Sequence, residues 1–77
     1  MANAASQRIA DLKPGDGYVQ SFARGLEVIR SFSADAPSQT LTEVADRSGL
    51  TRAGARRILL TLQSLGYVTL EDKVFRL

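Results

Sequence analysis

Three arginines lie close together in the second half of the chain, at Arg52, Arg56 and Arg57. A guanidinium group is always charged and donates hydrogen bonds as a planar fork, which suits phosphate oxygens and the O6/N7 edge of guanine. Spacings of four and five residues place all three away from the apolar face of a helix. The chemistry that they predict is recognition of an anionic or purine-bearing partner.

The residue types that the chain lacks exclude whole classes of site. It has no cysteine and no histidine, so disulfides, thiolate or imidazole zinc sites and a histidine-based triad are excluded. We expect no enzyme, no metal and no cofactor, because the acidic side chains of the second half are not expected to converge in a pocket. No apolar run approaches the ~20 residues of a membrane span, so a cytoplasmic protein is expected.

The formal net charge of +2 is unevenly distributed. Residues 1–34 carry four basic and three acidic residues (+1), residues 35–50 one basic and three acidic (−2), and residues 51–77 five basic and two acidic (+3). The positive charge is therefore concentrated on the arginine helix and the segment C-terminal to it, as expected of a face that binds nucleic acid.

The stretch Leu41–Leu65 (LTEVADRSGLTRAGARRILLTLQSL) has the spacing of a helix-turn-helix. Ala45 is small enough for two helices to cross, Gly49 allows a left-handed turn, and Ala55 packs the second helix back onto the first. A simple helical hairpin shows the same pattern, so this alternative remains open.

The second helix of the motif is predicted from a Thr51 cap to about Leu65, with Gly66 ending it. Its apolar face is predicted from helical periodicity. The residues on this face are Ala55, Ile58, Leu59, Leu62 and Leu65. Leu60 points away from that face and is interpreted either as an exposed leucine or as a contact with the N-terminal helix predicted over Ser21–Ser33.

The first helix of the motif is predicted to be capped by Thr42 and to run to about Ser48, with Leu41 entering a short edge strand before it. Thr40 with Glu43 offers an alternative capping box two residues earlier. Val44 and Ala45 are predicted to face the core, and Leu50 to enter it.

An earlier helix is predicted over Ser21–Ser33, capped by Ser21. Its apolar face comprises Phe22, Leu26, Ile29 and Phe32. Gly25 predicts close approach of another backbone. Arg24 lies off the face near the helix N-terminus, from where it could reach a phosphate, and Val28 is assigned to a subunit contact.

Two runs rich in β-formers, residues 67–70 and 74–77, flank the polar turn Glu71-Asp72-Lys73 and predict a hairpin. Residues 1–17 are predicted to be a flexible tail, or alternatively a basic arm, and residues 18–77 to be one domain. Because the last strand is barely complete at Leu77, we expect a fragment of a longer protein.

Together these elements predict a mainly α winged helix-turn-helix, with three helices and a β-hairpin wing, that binds double-stranded DNA. The helix Thr51–Leu65 would lie in the major groove, and the wing and first helix on the backbone. The predicted contact residues are Thr51, Arg52, Ala53, Gly54, Arg56, Arg57, Arg24, Thr42 and Lys73. The alternatives are solvated surface charges, and a winged helix that serves as a protein-interaction or assembly module.

The segments YVQSFARGLEVIRSF and LTEVADRSGLTRAGARRILLTLQSLGYV, with a wing ending in FRL, resemble the N-terminal DNA-binding domain of the IclR family of bacterial transcription regulators. The resemblance covers residues 18–77 and is greatest to regulators of protocatechuate and β-ketoadipate catabolism. It implies a dimer or tetramer in the full protein, and we expect a homodimer on a pseudo-palindromic operator in the bacterial nucleoid. It also implies an effector domain, absent here, that binds a small molecule such as an aromatic acid.

Overall fold

The computed structural model describes residues 17–77, which form three α-helices and a three-stranded antiparallel sheet. The helices are α1 (Gln20–Ser31), α2 (Leu41–Ser48) and α3 (Arg52–Ser64). The strands are β1 (Ser38–Gln39), β2 (Thr69–Glu71) and β3 (Val74–Arg76). This confirms the predicted mainly helical winged fold. The predicted tail lies outside the described residues except for Gly17. No helix in residues 17–77 is long and apolar enough to cross a membrane.

Helix α2 begins with the capping box that the sequence offered as the alternative. Thr40 Oγ1 accepts a hydrogen bond from the Glu43 amide at 3.3 Å, and Glu43 Oε1 accepts one from the Thr40 amide at 2.8 Å. The prediction that Thr42 caps this helix is therefore wrong, and Thr42 lies exposed in its first turn. Gly49 ends α2 with a φ of 73°, as predicted.

Helix α3 has the predicted N-terminus. Thr51 Oγ1 accepts a hydrogen bond from the Gly54 amide at 3.0 Å, which satisfies one of the free N–H groups of the first turn. The chain leaves the helix through Leu65 and Gly66, whose φ is 88°. Leu65 is the C-cap residue and is 64% exposed, so its predicted place on the apolar face of the helix is wrong.

The core lies between the three helices and the sheet. Its buried members are Val28, Phe32, Val44, Ala45, Ala55, Leu59, Val68 and Phe75, with Leu41, Leu50, Ile58 and Leu62 packed around them. Ala55 and Leu59 are fully buried, so one face of α3 is fixed by packing and the opposite face is left to solvent.

The face that α1 turns toward the core agrees with the predicted one at Phe32, which is buried, but differs from it at other positions. Val28 is fully buried, whereas Phe22 is 65% and Leu26 is 42% exposed. The subunit contact assigned to Val28 is therefore wrong, because its side chain is occupied by the core. Ser21 lies inside α1 and does not cap it, since the N-cap is Val19. A Cβ at Gly25 would meet nothing within 4 Å, so no backbone approaches it closely.

The sheet has the order β1-β3-β2, so the predicted hairpin carries an additional strand. Ser38 and Gln39 pair with Arg76 and Phe75, while Leu41, which was expected in this strand, is the first residue of α2. Gln39 is 1% exposed, and its Nε2 donates to the Ser31 carbonyl at 3.1 Å. Strand β1 thereby ties the hairpin to the C-terminal end of α1.

Candidate nucleic-acid interface

The N-terminal half of α3 carries the arginines on its solvent side. Arg52, Arg56 and Arg57 are all exposed, and within residues 17–77 the single ion pair joins Arg30 to Glu27 at 3.7 Å. The three guanidinium groups therefore have no carboxylate partner among the described residues. The predicted clustering of positive charge on this helix is present in the structure.

A first groove, the wing groove, separates α3 from the hairpin. It has a volume of about 340 Å³, an apolar floor and a basic rim. Its lining consists of Thr40, Leu41, Thr42, Arg52, Arg56, Leu70, Lys73 and Phe75. Four predicted contact residues, Thr42, Arg52, Arg56 and Lys73, are thus brought together although they come from three separate elements. Leu41 was expected only in a short edge strand, and Leu70 and Phe75 only in the two strands of the hairpin.

A second groove, the helix groove, lies on the other side of α3, against α1. Its volume is about 350 Å³. It is lined by Ser21, Arg24, Gly25, Gly54, Arg57, Ile58, Thr61 and Leu62. Arg24 of α1 and Arg57 of α3 were both predicted as contact residues, and they line the same groove. Gly54 is half-buried in this groove, and a Cβ there would meet Thr51 Oγ1 at 3.1 Å, inside the cap.

The ridge between the two grooves is the outward side of α3. Ala53, Arg57, Leu60 and Ser64 follow one another at intervals of three or four residues, so they share one side of the helix, and all four are exposed. We call this set the outer face. It begins with a small residue at Ala53, one position after Arg52 and two after the exposed cap Thr51.

The tip of the hairpin is a tight two-residue turn. Glu71 pairs with Val74, which leaves Asp72 and Lys73 to connect the strands with φ values of 52° and 66°. Two consecutive positive φ angles are typical of the type I′ turn, whose twist matches that of the strands it joins. This geometry places Lys73 on the rim of the wing groove.

A protein-family model described as the IclR helix-turn-helix domain matches residues 21–72. The chain belongs to the IclR family. It is 37% identical over 60 residues to the p-hydroxybenzoate hydroxylase transcriptional activator of Acinetobacter baylyi, a match that covers 78% of this chain and 22% of that protein. The chain thus spans about a fifth of that relative. An IclR helix-turn-helix domain is a DNA-binding domain of transcription regulators, and this chain is such a domain.

Two solved structures show that the similarity of this chain to the IclR family includes the fold. A protein from Rhodococcus sp. RHA1, assigned as a transcriptional regulator, superposes with a TM-score of 0.76 at 55% identity, over 78% of this chain and 24% of that chain. An IclR homologue from Microbacterium hydrocarbonoxydans, complexed with 4-hydroxybenzoate, gives a TM-score of 0.70 at 26% identity, over 74% and 24%. The sequence-based assignment to this family is confirmed.

Proposed function

We propose that residues 18–77 bind double-stranded DNA sequence-specifically, with α3 in the major groove and the wing and α1 against the flanking backbone. The observation that carries this proposal is the exposure of Arg52, Arg56 and Arg57 around the first turns of α3 without carboxylate partners among residues 17–77. A helix in the major groove presents its N-terminal residues to base edges, and these residues are the ones with forked donors.

The two grooves on either side of α3 give the proposed contacts their separate roles. With the outer face toward the bases, Arg57 lies over base edges, and the small Ala53 permits close approach and a methyl contact. Thr42, Arg52, Arg56 and Lys73 rim the wing groove and would hold one backbone. Arg24 in the helix groove would hold the other DNA backbone. The exposed cap Thr51 and the half-buried Gly54 lie at the start of α3, where free N–H groups favour phosphate.

The test is a titration of a selected duplex at several salt concentrations with Arg52→Ala, Arg56→Ala and Arg57→Ala. Replacing an arginine that contacts a base should cost ~1–3 kcal/mol of binding free energy and relax the sequence preference at one base position. Replacing an arginine that contacts phosphate should weaken binding to all sequences alike and lower the slope of log affinity against log salt by about 1. Arg30→Ala is the control, because Arg30 is paired with Glu27 and lines neither groove. If all three variants behaved like Arg30→Ala, the proposed interface would be wrong.

We further propose that two copies bind a pseudo-palindrome with their recognition helices about 34 Å apart, or a multiple of it. One short helix specifies few base pairs, so a second copy is needed to reach the specificity ratios of regulators. Moving the half-sites apart by half a helical turn should abolish tight binding if the copies dock together, and leave it unchanged if they bind independently.

The effector that we propose is a small aromatic acid, bound by a separate domain of a cytoplasmic regulator. This proposal rests on the p-hydroxybenzoate named in one relative and the 4-hydroxybenzoate bound to one solved homologue. Calorimetry of the full-length protein with 4-hydroxybenzoate, and then of this chain alone, tests it: heat is expected from the first titration and none from the second.

A further inference from the structure

The outer face contains one large apolar side chain, Leu60. It is 36% exposed, while its neighbour Leu59 is fully buried and Ile58 and Leu62 pack against the core. Leu60 belongs to neither the core nor its surrounding shell, and it lines neither groove. The fold therefore does not explain a leucine at this position.

The residues around Leu60 on the surface of α3 are those that the proposed function turns toward DNA. Arg56 and Arg57 lie four and three residues before it, and Ala53 lies seven residues before it, on the same side of the helix. A helix in the major groove advances by about one base for every three to four residues, as in a zinc finger. With the outer face toward the bases, Leu60 would therefore lie over the base pair next to the one proposed for Arg57.

The major-groove edge of DNA presents one apolar group, the C5 methyl of thymine. A partly exposed leucine directed at that edge gains free energy by removing apolar surface from water only where such a methyl lies opposite. We propose that Leu60 is a specificity-determining residue that selects a thymine through its methyl group, one base pair beyond the position proposed for Arg57. This inference rests on the proposed function.

Deoxyuridine isolates this contact, because it differs from thymidine only in lacking the methyl group. The duplex is one selected by the unaltered chain, and each thymidine in turn is replaced by deoxyuridine. One replacement should weaken binding about fourfold, the value of roughly one buried methyl group. Leu60→Ala should weaken binding to the thymidine duplex by a similar factor and lose all sensitivity to that replacement. Alanine is the best helix former, so the variant keeps α3 intact.

Leu65→Ala is the matched control, since Leu65 is also an exposed leucine but lies at the C-cap of α3. It should retain the full deoxyuridine effect. The inference is overturned if no replacement weakens the unaltered chain, or if Leu60→Ala responds to deoxyuridine as the unaltered chain does. Failure of the arginine variants to weaken binding would instead overturn the proposed function, so the two failures are distinguishable.

Discussion

Replacing Lys73 by glycine should make the domain more stable and its binding to DNA weaker. Lys73 has a φ of 66° at the second position of the hairpin turn. A side chain in this left-handed region costs about 1–2 kcal/mol, because its Cβ approaches the carbonyl oxygen. Lys73 is exposed at the rim of the wing groove, so its removal costs little packing.

The magnitude is the difference between two opposing terms. Glycine removes the Cβ strain of about 1–2 kcal/mol but loses about 0.5–1 kcal/mol through the greater freedom of the unfolded chain. The net gain is about 0.5–1 kcal/mol, or about 2–8 °C in Tm for a domain of this size. The lost cation should reduce the slope of log affinity against log salt by about 0.9.

Lys73→Ala is the comparison that separates the two effects. Alanine also removes the charge but keeps the Cβ, so its salt slope should match that of Lys73→Gly while its Tm stays below it. Thermal unfolding and salt titration of both variants measure these quantities. Equal Tm values for glycine and alanine would refute the argument from the turn, and an unchanged salt slope in both would refute the phosphate contact.

Three further substitutions test the packing and capping of the fold by thermal or urea unfolding. Gly49→Ala should lower the free energy of unfolding by about 1 kcal/mol. The loss comes from strain in the left-handed backbone conformation, because an added Cβ would meet nothing within 4 Å; a loss near zero would contradict the left-handed turn. Thr40→Ala should cost about 1 kcal/mol through loss of the capping box, whereas an equal loss in Thr42→Ala would reassign the cap. Val28→Ala should cost about 2 kcal/mol and Phe22→Ala almost nothing, and the reverse order would restore the apolar face predicted for α1.

The helix-turn-helix was predictable because local chemistry determines it. The Thr51 hydroxyl, Gly49 and Gly66 mark boundaries through contacts that span at most four residues, and those boundaries were predicted to within a residue. The start of α2 was ambiguous because Thr40 and Thr42 are both able to cap a helix. The two reciprocal bonds between Thr40 and Glu43 distinguish them.

The orientation of α1 was not predictable in the same way, because apolar residues lie on more than one side of it. Phe22 and Leu26 have the greater apolar volume, but Val28 and Phe32 are the residues that reach the core. Which side is buried depends on where α2 and α3 lie, and those positions come from contacts distant in sequence. The short edge strand before α2 was predicted at Leu41 but lies at Ser38–Gln39. These two residues have no β-forming pattern, and their strand exists through pairing with β3.

The exposure of Arg52, Arg56 and Arg57 was predictable from helical spacing, but the division of the candidate contact residues between two grooves was not. Arg56 and Arg57 are adjacent in sequence, yet Arg56 lines the wing groove and Arg57 the helix groove. Consecutive residues of a helix are rotated by about 100° around its axis, which directs Arg56 and Arg57 to different sides of α3. Which groove lies on each side depends on the element that packs there against α3. The proposed roles of these residues remain predictions.

The separation between the buried and outward sides of α3 has a consequence for how such regulators diverge. Ala55 and Leu59 hold the helix in the core, and the outer face, residues 53, 57, 60 and 64, shares no member with them. Substitutions on the outer face can therefore accumulate without a loss of folding stability. If the outer face contacts the bases as proposed, duplicated copies of the gene can acquire new target sites before any compensating change in the interior. A designer can then exchange these four positions on an unchanged scaffold.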